Sequence, residues 1–537
     1  MDRSDASVAG SSRNDEQADL ARAEARIGGP YAYYVLGVFV LVYAFNFIDR
    51  QIISILAVDI KAAYNLRDQD LGFLYGTAFA VFYAIFGIPL GRLADVWLRG
   101  RLMAIGLALW SLMTAVSGLT VTFGQLAVAR FGVAVGEASA APAAFSMLSD
   151  YFPRSMRATA LAIYSSGIYI GGGVSLFVGG VIVEGWDRWF AVTAPPLGLA
   201  GWQAAFLAVG LPGLILAVLV ATIKEPVRGL ADGMVSKRQD QPWARFWEEL
   251  FSVFPGLTIW SLIRQGAPRK IFVTNIVFAV LFIVSAFFLT LLTGDMAQWV
   301  AFFIGAYAVF SWIQSLKLRD PATYHLIWGT PAFLLTVVGF GTMSFVTYST
   351  SFWLVPYARA ELGLDAAEVG LVIGLAAAIG GWLGVTSGGI VADLWRKKTP
   401  QGRLYLGMVS AALTMPIGFL ALQTDNPSTF YVLVAAKQVV STMWIGVAAA
   451  TCQDLVLPRM RGAAAAGYVL GTTFIGLALG PYSVGKLSQA FGDRGLAISC
   501  AFSLGFVVIL LLVLASRRID RAEATRVERA RAHGELF

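Results

Sequence analysis

"LGFLYGTAFAVFYAIFGIPLGRLADVWLRG" occupies residues 71–100. Its apolar run is long enough to cross a bilayer, which takes about 20 residues. The run ends in a polar cluster of Gly91, Asp95, Trp97 and Arg99. The pattern returns as "VGLVIGLAAAIGGWLGVTSGGIVADLWRKK" at 369–398. At a constant offset of 298, Gly72 meets Gly370, Gly76 meets Gly374, Gly91 meets Gly389, Asp95 meets Asp393, Trp97 meets Trp395 and Arg99 meets Lys397. A second block repeats at offset 304: Asp150 with Asp454, Met156–Arg157 with Met460–Arg461, Tyr164 with Tyr468, Gly167 with Gly471 and Gly172 with Gly476. Apolar composition aligns Ala and Leu by chance, but not Asp, Arg, Trp and Gly in order. The chain therefore contains two copies of one unit.

Outward from this repeat the same apolar signal recurs. The 537 residues are 57% hydrophobic and 14% charged, with mean hydropathy +0.69. Soluble chains carry about 25% charged residues, so the bilayer is the better solvent. Fourteen candidate spans follow, near 32–58, 71–96, 102–120, 123–147, 158–184, 202–223, 271–293, 297–316, 328–358, 367–392, 404–423, 428–456, 462–484 and 495–516. The predicted fold is an all-α membrane protein of two pseudo-symmetric six-helix bundles plus two inserted helices. The bundles occupy 31–224 and 328–516. Residues 225–327 form a cytoplasmic loop and the inserted pair. Residues 1–30 read as a disordered tail without an apolar leader, and 517–537 as a cytoplasmic tail. Two such halves imply a carrier with its site near the midplane, alternately exposed by rocking.

Connections on one side carry 20 Lys and Arg, and those on the other 6. The richer side is expected to be cytoplasmic, and both termini with it. The net charge of +7 lies in short blocks between spans, which excludes nucleic acid as the expected partner. Cys452 and Cys500 fall in spans, so no disulfide framework is expected. In the loop, "WARFWEELFSVF" (243–254) reads as an amphipathic helix on the membrane surface.

Charge inside the spans singles out candidate functional residues. "FNFIDRQII" (45–53) buries Asp49 and Arg50, and the fourth span carries Arg130 and Glu137 seven residues apart, on one helix face. Each such charge costs about 2.5–3.5 kcal/mol at a bilayer centre. The four should therefore pair, line water, or both. The chain has two His, both outside the spans, so a proton carrier must be a carboxylate: Asp49 or Glu137. A carboxylate's proton affinity changes when an Arg partner is gained or lost. Arg50 and Arg130 suit an anionic headgroup, since guanidinium bonds two oxygens at once. In the second half Lys437 is the exception, and its long stem suits snorkelling or packing. The cavity should be polar on one wall and apolar on the other. In "GIYIGGGVSLFVGG" (167–180), Gly167 and Gly171 stand four apart with Gly172 adjacent, a close-packing pattern.

The stretch "GRLADVWLRGR" (91–101) resembles the loop signature of the major facilitator superfamily at Gly91, Asp95, Arg99 and Arg101. It departs at Val96, where an Arg is usual, and at Leu98, where a Gly is usual. The second copy keeps Gly389, Asp393 and Lys397. "NFIDRQI", "GVAVGEASAAPAAFSMLSDYFP" and "KEPVRG" resemble the Spinster branch, whose members move lysophospholipids or sphingosine phosphate. The inserted pair departs from the twelve-span plan usual there. Proton-coupled peptide carriers have such a pair, but their Glu-rich first-span signature is absent. The resemblance implies that Asp49 and Glu137 couple protons. It implies that Asp95, with the gate motif around Gly91, Arg99, Arg101, Gly389 and Asp393, latches the halves on the cytoplasmic side. It also implies that glycines of the fifth span seal one end of the pathway.

The expected activity is proton-coupled transport of an amphipathic, lysolipid-like or anionic substrate by a monomer in a bacterial inner membrane. Drug efflux, organic-anion uptake and a non-transporting sensor are the alternatives. No Ser–His pair, phosphate loop or His/Cys metal cluster is present, so neither an enzyme, a cofactor nor a metal is expected. The proton gradient would supply the energy.

Overall fold

A computed structural model describes residues 24–232 and 241–535; residues 1–23, which hold most of the expected disordered tail, lie outside the described residues. Every regular element described is helical, as a bilayer requires when each backbone group must be bonded within its own segment. Fourteen helices are long and apolar enough to span: α1 Pro30–Tyr64, α2 Asp68–Val96, α3 Arg99–Ser117, α4 Phe123–Tyr151, α5 Ser155–Trp189, α6 Gly201–Ala221, α7 Arg269–Thr293, α8 Met296–Arg319, α9 Pro331–Ala360, α10 Ala366–Lys398, α11 Gly402–Leu422, α12 Pro427–Asp454, α13 Pro458–Phe491 and α14 Arg494–Ala524.

Helices α1–α6 form one half and α9–α14 the other. The inserted α7 and α8 pack as a hairpin, clasped by Asn275, which donates to Gln314 at 2.7 Å and accepts from Tyr307 at 2.7 Å. Few α7 side chains are buried besides Asn275 and Ala286, so α7 presents its surface to lipid. The helix Pro242–Val253 lays Phe246, Leu250 and Val253 against α2 and leaves Trp243 and Trp247 half exposed. Residues 517–524 continue α14, and Ile519, Ala522 and Ala530 are buried against the second half.

The two halves meet along α1 with α9, α2 with α13 and α5 with α10. All three meetings are tight toward the Lys/Arg-poor end. There Gly173 faces Gly374, Gly180 faces Ala366, and Gly72 faces Pro481 and Tyr482, all backbone against backbone. A side chain at Gly374 would run into the Gly173 carbonyl, so only glycine permits this approach. π-turns at Phe73–Thr77 and Thr473–Ala478 free local carbonyls beside this contact, and the Thr77 hydroxyl donates to the Ala478 carbonyl.

Candidate functional site

Between the halves lies a cavity of about 250 Å³. Its first-half wall includes Phe47, Arg50, Gln51, Tyr75 and Gly172, and its second-half wall includes Tyr348, Thr350, Leu354, Ile373, Lys437 and Trp444.

Arg50 reaches this wall from the middle of α1. Its Nη2 donates to Glu137 Oε2 at 2.7 Å, and its guanidinium lies 4.2 Å from the Phe79 ring centre, with Phe47 and Tyr83 also beside it. Glu137 stands behind Arg50, buried from solvent, with its other oxygen unpartnered. Asp49 turns away from the cavity because it is the next residue round the helix. Both its carboxylate oxygens lack a hydrogen-bond partner; Thr114 and Trp110 of α3 approach without completing one, and Glu137 and Arg130 lie within electrostatic reach. Arg130 donates from Nη2 to the Asp49 carbonyl at 2.9 Å and is buried. The structure thus brings all four charges together, as the spacing suggests, but does not give them equal access. Arg50 alone of the four borders the cavity. Arg130, expected to bind substrate, does not line it: Nη2 is held by the α1 backbone, while Nε and Nη1 have no partner.

The glycines of α5 divide between close packing, which the four-residue spacing predicts, and the cavity, which Gly172 faces instead of packing. Gly167 and Gly171 pack against Val40 and Ala44 of α1, inside the first half. Gly172 packs against nothing within 4 Å and faces the cavity. The contact between halves belongs to Gly173 and Gly180, since one residue along a helix turns the side by about 100°.

At the Lys/Arg-poor end the halves are also joined by charge. Asp68 is buried and holds Lys61 at 2.5 Å, Ser488 at 2.7 Å and Arg494 at 3.2 Å. Arg359 of α9 bonds Asp59 at 2.7 Å and the Ile55 carbonyl of α1. Asp295, at the tip of the inserted hairpin, takes Arg67 of the first half at 2.9 Å and Lys486 and Tyr482 of the second at 2.7 and 2.9 Å. Burial raises the Asp295 carboxyl, but Lys486, Tyr482 and Arg67 outweigh it and hold it below the usual range.

The Lys/Arg-rich end is different. Gly91 and Gly389 have open faces, and Asp95 is exposed, 3.7 Å from Arg92 of its own helix. Asp393 lies 3.4 Å from Arg403 of its own half. Arg101 is exposed. Arg99 is not part of an exposed cluster: it is 1% exposed and binds Asp150 at 2.5 Å, Glu225 at 2.7 Å and Ser146 at 2.8 Å. Arg228 caps the end of α2 through the carbonyls of Ala94, Asp95 and Trp97. The second half repeats the device, with Arg403 on Asp454 and Arg396 on Glu523. Glu225 and Arg228 stand in the sequence only as part of "KEPVRG", with no role attached. The signal was there: Arg99 and Arg403 share the offset of 304, and Glu225 and Glu523 that of 298. No hydrogen bond or ion pair among the described residues joins the two six-helix halves at this end. The structure is therefore sealed at one end and unlatched at the other.

Comparison with known proteins agrees with this architecture. Residues 39–481 match the model of the Major Facilitator Superfamily. An MFS-type efflux pump of Mycolicibacterium smegmatis is 26% identical over 512 residues, covering 93% of this chain and 97% of that protein. Protein spinster homolog 1 of Xenopus laevis is 23% identical, covering 86% of this chain and 74% of that protein. A bacterial homolog of the human lysosomal transporter Spinster, crystallised inward-facing and occupied, superposes with a TM-score of 0.65 at 23% identity, covering 93% of this chain and 98% of that one.

Proposed function

This chain belongs to the Major Facilitator Superfamily, within which it is Spinster-like, and from that premise we propose that it is a proton-coupled carrier of an amphipathic, lysolipid-like or anionic substrate. It is a multi-pass membrane transporter; coupling and substrate are the proposal. The Arg50–Glu137 pair in the cavity wall carries it. Glu137 in its charged form occupies Arg50. A proton on Glu137 releases the guanidinium to an incoming anion, and an anion on Arg50 in turn favours a protonated Glu137. Proton and anion then reinforce each other's binding, as linkage requires. Asp49, whose carboxylate lies near Glu137 without a partner, is the second proton site, and Arg130 fixes α1 beneath it.

The Lys/Arg-rich end faces the cytoplasm in this reading, with both termini, in a bacterial inner membrane, and the structure is the inward-facing state of a monomer. Asp95 and Asp393 lack partners across the halves here, as gate residues would when their end is open. Relatedness to an efflux pump over 93% of the chain favours one second reading, export of amphipathic drugs through the same cavity.

The test is flux in liposomes. Purified protein under an imposed proton gradient should move a fluorescent lysophospholipid, and Glu137→Gln should abolish the gradient-driven part. Unchanged flux in that variant, or none from folded wild type, would overturn the proposal.

A further inference from the structure

Lys437 is the one lysine among the described residues buried inside a spanning helix with access to the cavity. It sits on α12, the second half's counterpart of the helix that carries Arg130 and Glu137. Its side chain is buried, with 2% of the residue exposed, yet it lines the cavity. Its ammonium makes one protein hydrogen bond, to Thr350 Oγ1 at 3.2 Å, out of three it could donate. No carboxylate among the described residues forms an ion pair with it. The contrast with the first half is sharp: there two carboxylates balance two arginines, whereas here one cation stands uncompensated.

Such a group is costly at membrane depth when unpaired. A lysine that only packed would place its charge at a helix end, where water or headgroups reach it. Lys437 is instead mid-helix, with Gln438, Thr350 and Thr442 around it on the cavity side. These are neutral groups able to hydrogen-bond an oxyanion, and Leu354, Ile373 and Val434 supply an apolar surface next to them.

We propose that Lys437 is the second half's binding point for an oxyanion on the substrate, so that the cavity selects amphipaths bearing a phosphate or carboxylate and engages them from both halves, through Arg50 on α1 and Lys437 on α12. This rests on the carrier reading above and names its substrate class. It also gives a reason for loaded closure. Rocking shut the unlatched end shuts the uncompensated Lys437 charge away from water, which is unfavourable when the cavity is empty. A bound anion neutralises that charge and removes the penalty.

The test is equilibrium binding to the full-length protein in maltoside micelles, without any gradient. The probes are dodecyl phosphate, laurate and the uncharged monolaurin. Wild type should bind at least one of the two anions more tightly than monolaurin, and whichever binds tighter identifies phosphate or carboxylate as the source. Lys437→Met should weaken anion binding at least tenfold and leave monolaurin binding unchanged, while Lys437→Arg restores the anion. Lys437→Met should also unfold at a temperature no lower than wild type, since it removes an unpaired buried charge. Lys437→Gln repeats the measurement with a polar side chain. Equal anion affinity in wild type and Lys437→Met overturns the proposal, and so does a wild type that prefers monolaurin or binds none of the three. Loss of proton-driven flux with intact Lys437-dependent binding would sink the coupling reading alone.

Discussion

The two ends of the molecule use the same charged residues for opposite purposes. At the Lys/Arg-poor end, Asp68, Asp295 and Arg359 each tie one half to the other or to the inserted hairpin. At the Lys/Arg-rich end, Arg99, Arg396 and Arg403 tie helices of one half to each other. Ion pairs within a half make that half a rigid body. Ion pairs between halves decide which way the body leans. An alternating carrier needs both kinds, and among the described residues the pairs between halves lie at one end alone.

This difference is open to attack by mutation. Arg99→Met leaves Asp150 and Glu225 without their common cation, and breaking such a buried pair costs about 3–5 kcal/mol. Thermal unfolding in detergent should fall sharply, with the distance between labelled ends of the two halves unchanged in the protein that remains folded. A shift in that distance without a loss of stability would break the distinction. Gly374→Leu attacks the seal. Its side chain has no room against the Gly173 backbone, and overpacking of this kind costs the sealed state about 1–3 kcal/mol, which opening that end relieves. Spin-label distances across the Lys/Arg-poor end should lengthen and flux should fall, while stability changes little. Asp68→Asn is milder, because an amide keeps part of the hydrogen bonding to Ser488 and loses the charge facing Lys61 and Arg494. A cost of about 1 kcal/mol should shift the same label distances roughly fivefold in population toward the opened form. An unchanged distribution would show that the glycines hold this end unaided.

The sequence makes some of this visible and hides the rest for physical reasons. Span length and the offset of 298 expose the two halves, because both are linear properties of the chain. Asp49, Arg50, Arg130 and Glu137 stand out because charge in an apolar run is costly wherever it lies. Which of the four reaches the cavity is a matter of helix rotation, and a one-residue step separates Asp49 from Arg50 as it does Gly172 from Gly173. Arg99 looks exposed because it adjoins a short loop; its burial depends on Glu225, which follows four intervening spans. The seal depends on partners about 300 residues apart, such as Asp59 with Arg359. The direction in which the carrier leans is a property of that pairing and leaves no local pattern.

The smallest effect expected is also the one that most sharpens the contrast between the ends. The chain's two histidines, His325 and His533, stack at the Lys/Arg-rich end with ring centres 3.6 Å apart, pinning the C-terminal segment to the helix Pro321–Ile327. Burial, the neighbouring His533 and Lys317 hold His325 below the ordinary imidazole value of about 6.5. The docked form therefore binds fewer protons than the released form once the pH drops to about 6.5. Docking is then fully favourable above that pH and weakens as pH falls below it. Arg459 continues to hold Glu535 and Asp320, so the segment should loosen rather than detach. Hydrogen exchange over residues 526–535 should rise between about pH 7 and pH 5.5, and His533→Ala should flatten that dependence. Because this tie joins two segments that both pack on the second half, label distances across the Lys/Arg-poor end should not follow it. If they do, the ties within a half also steer the lean, and the separation of roles between the two ends fails.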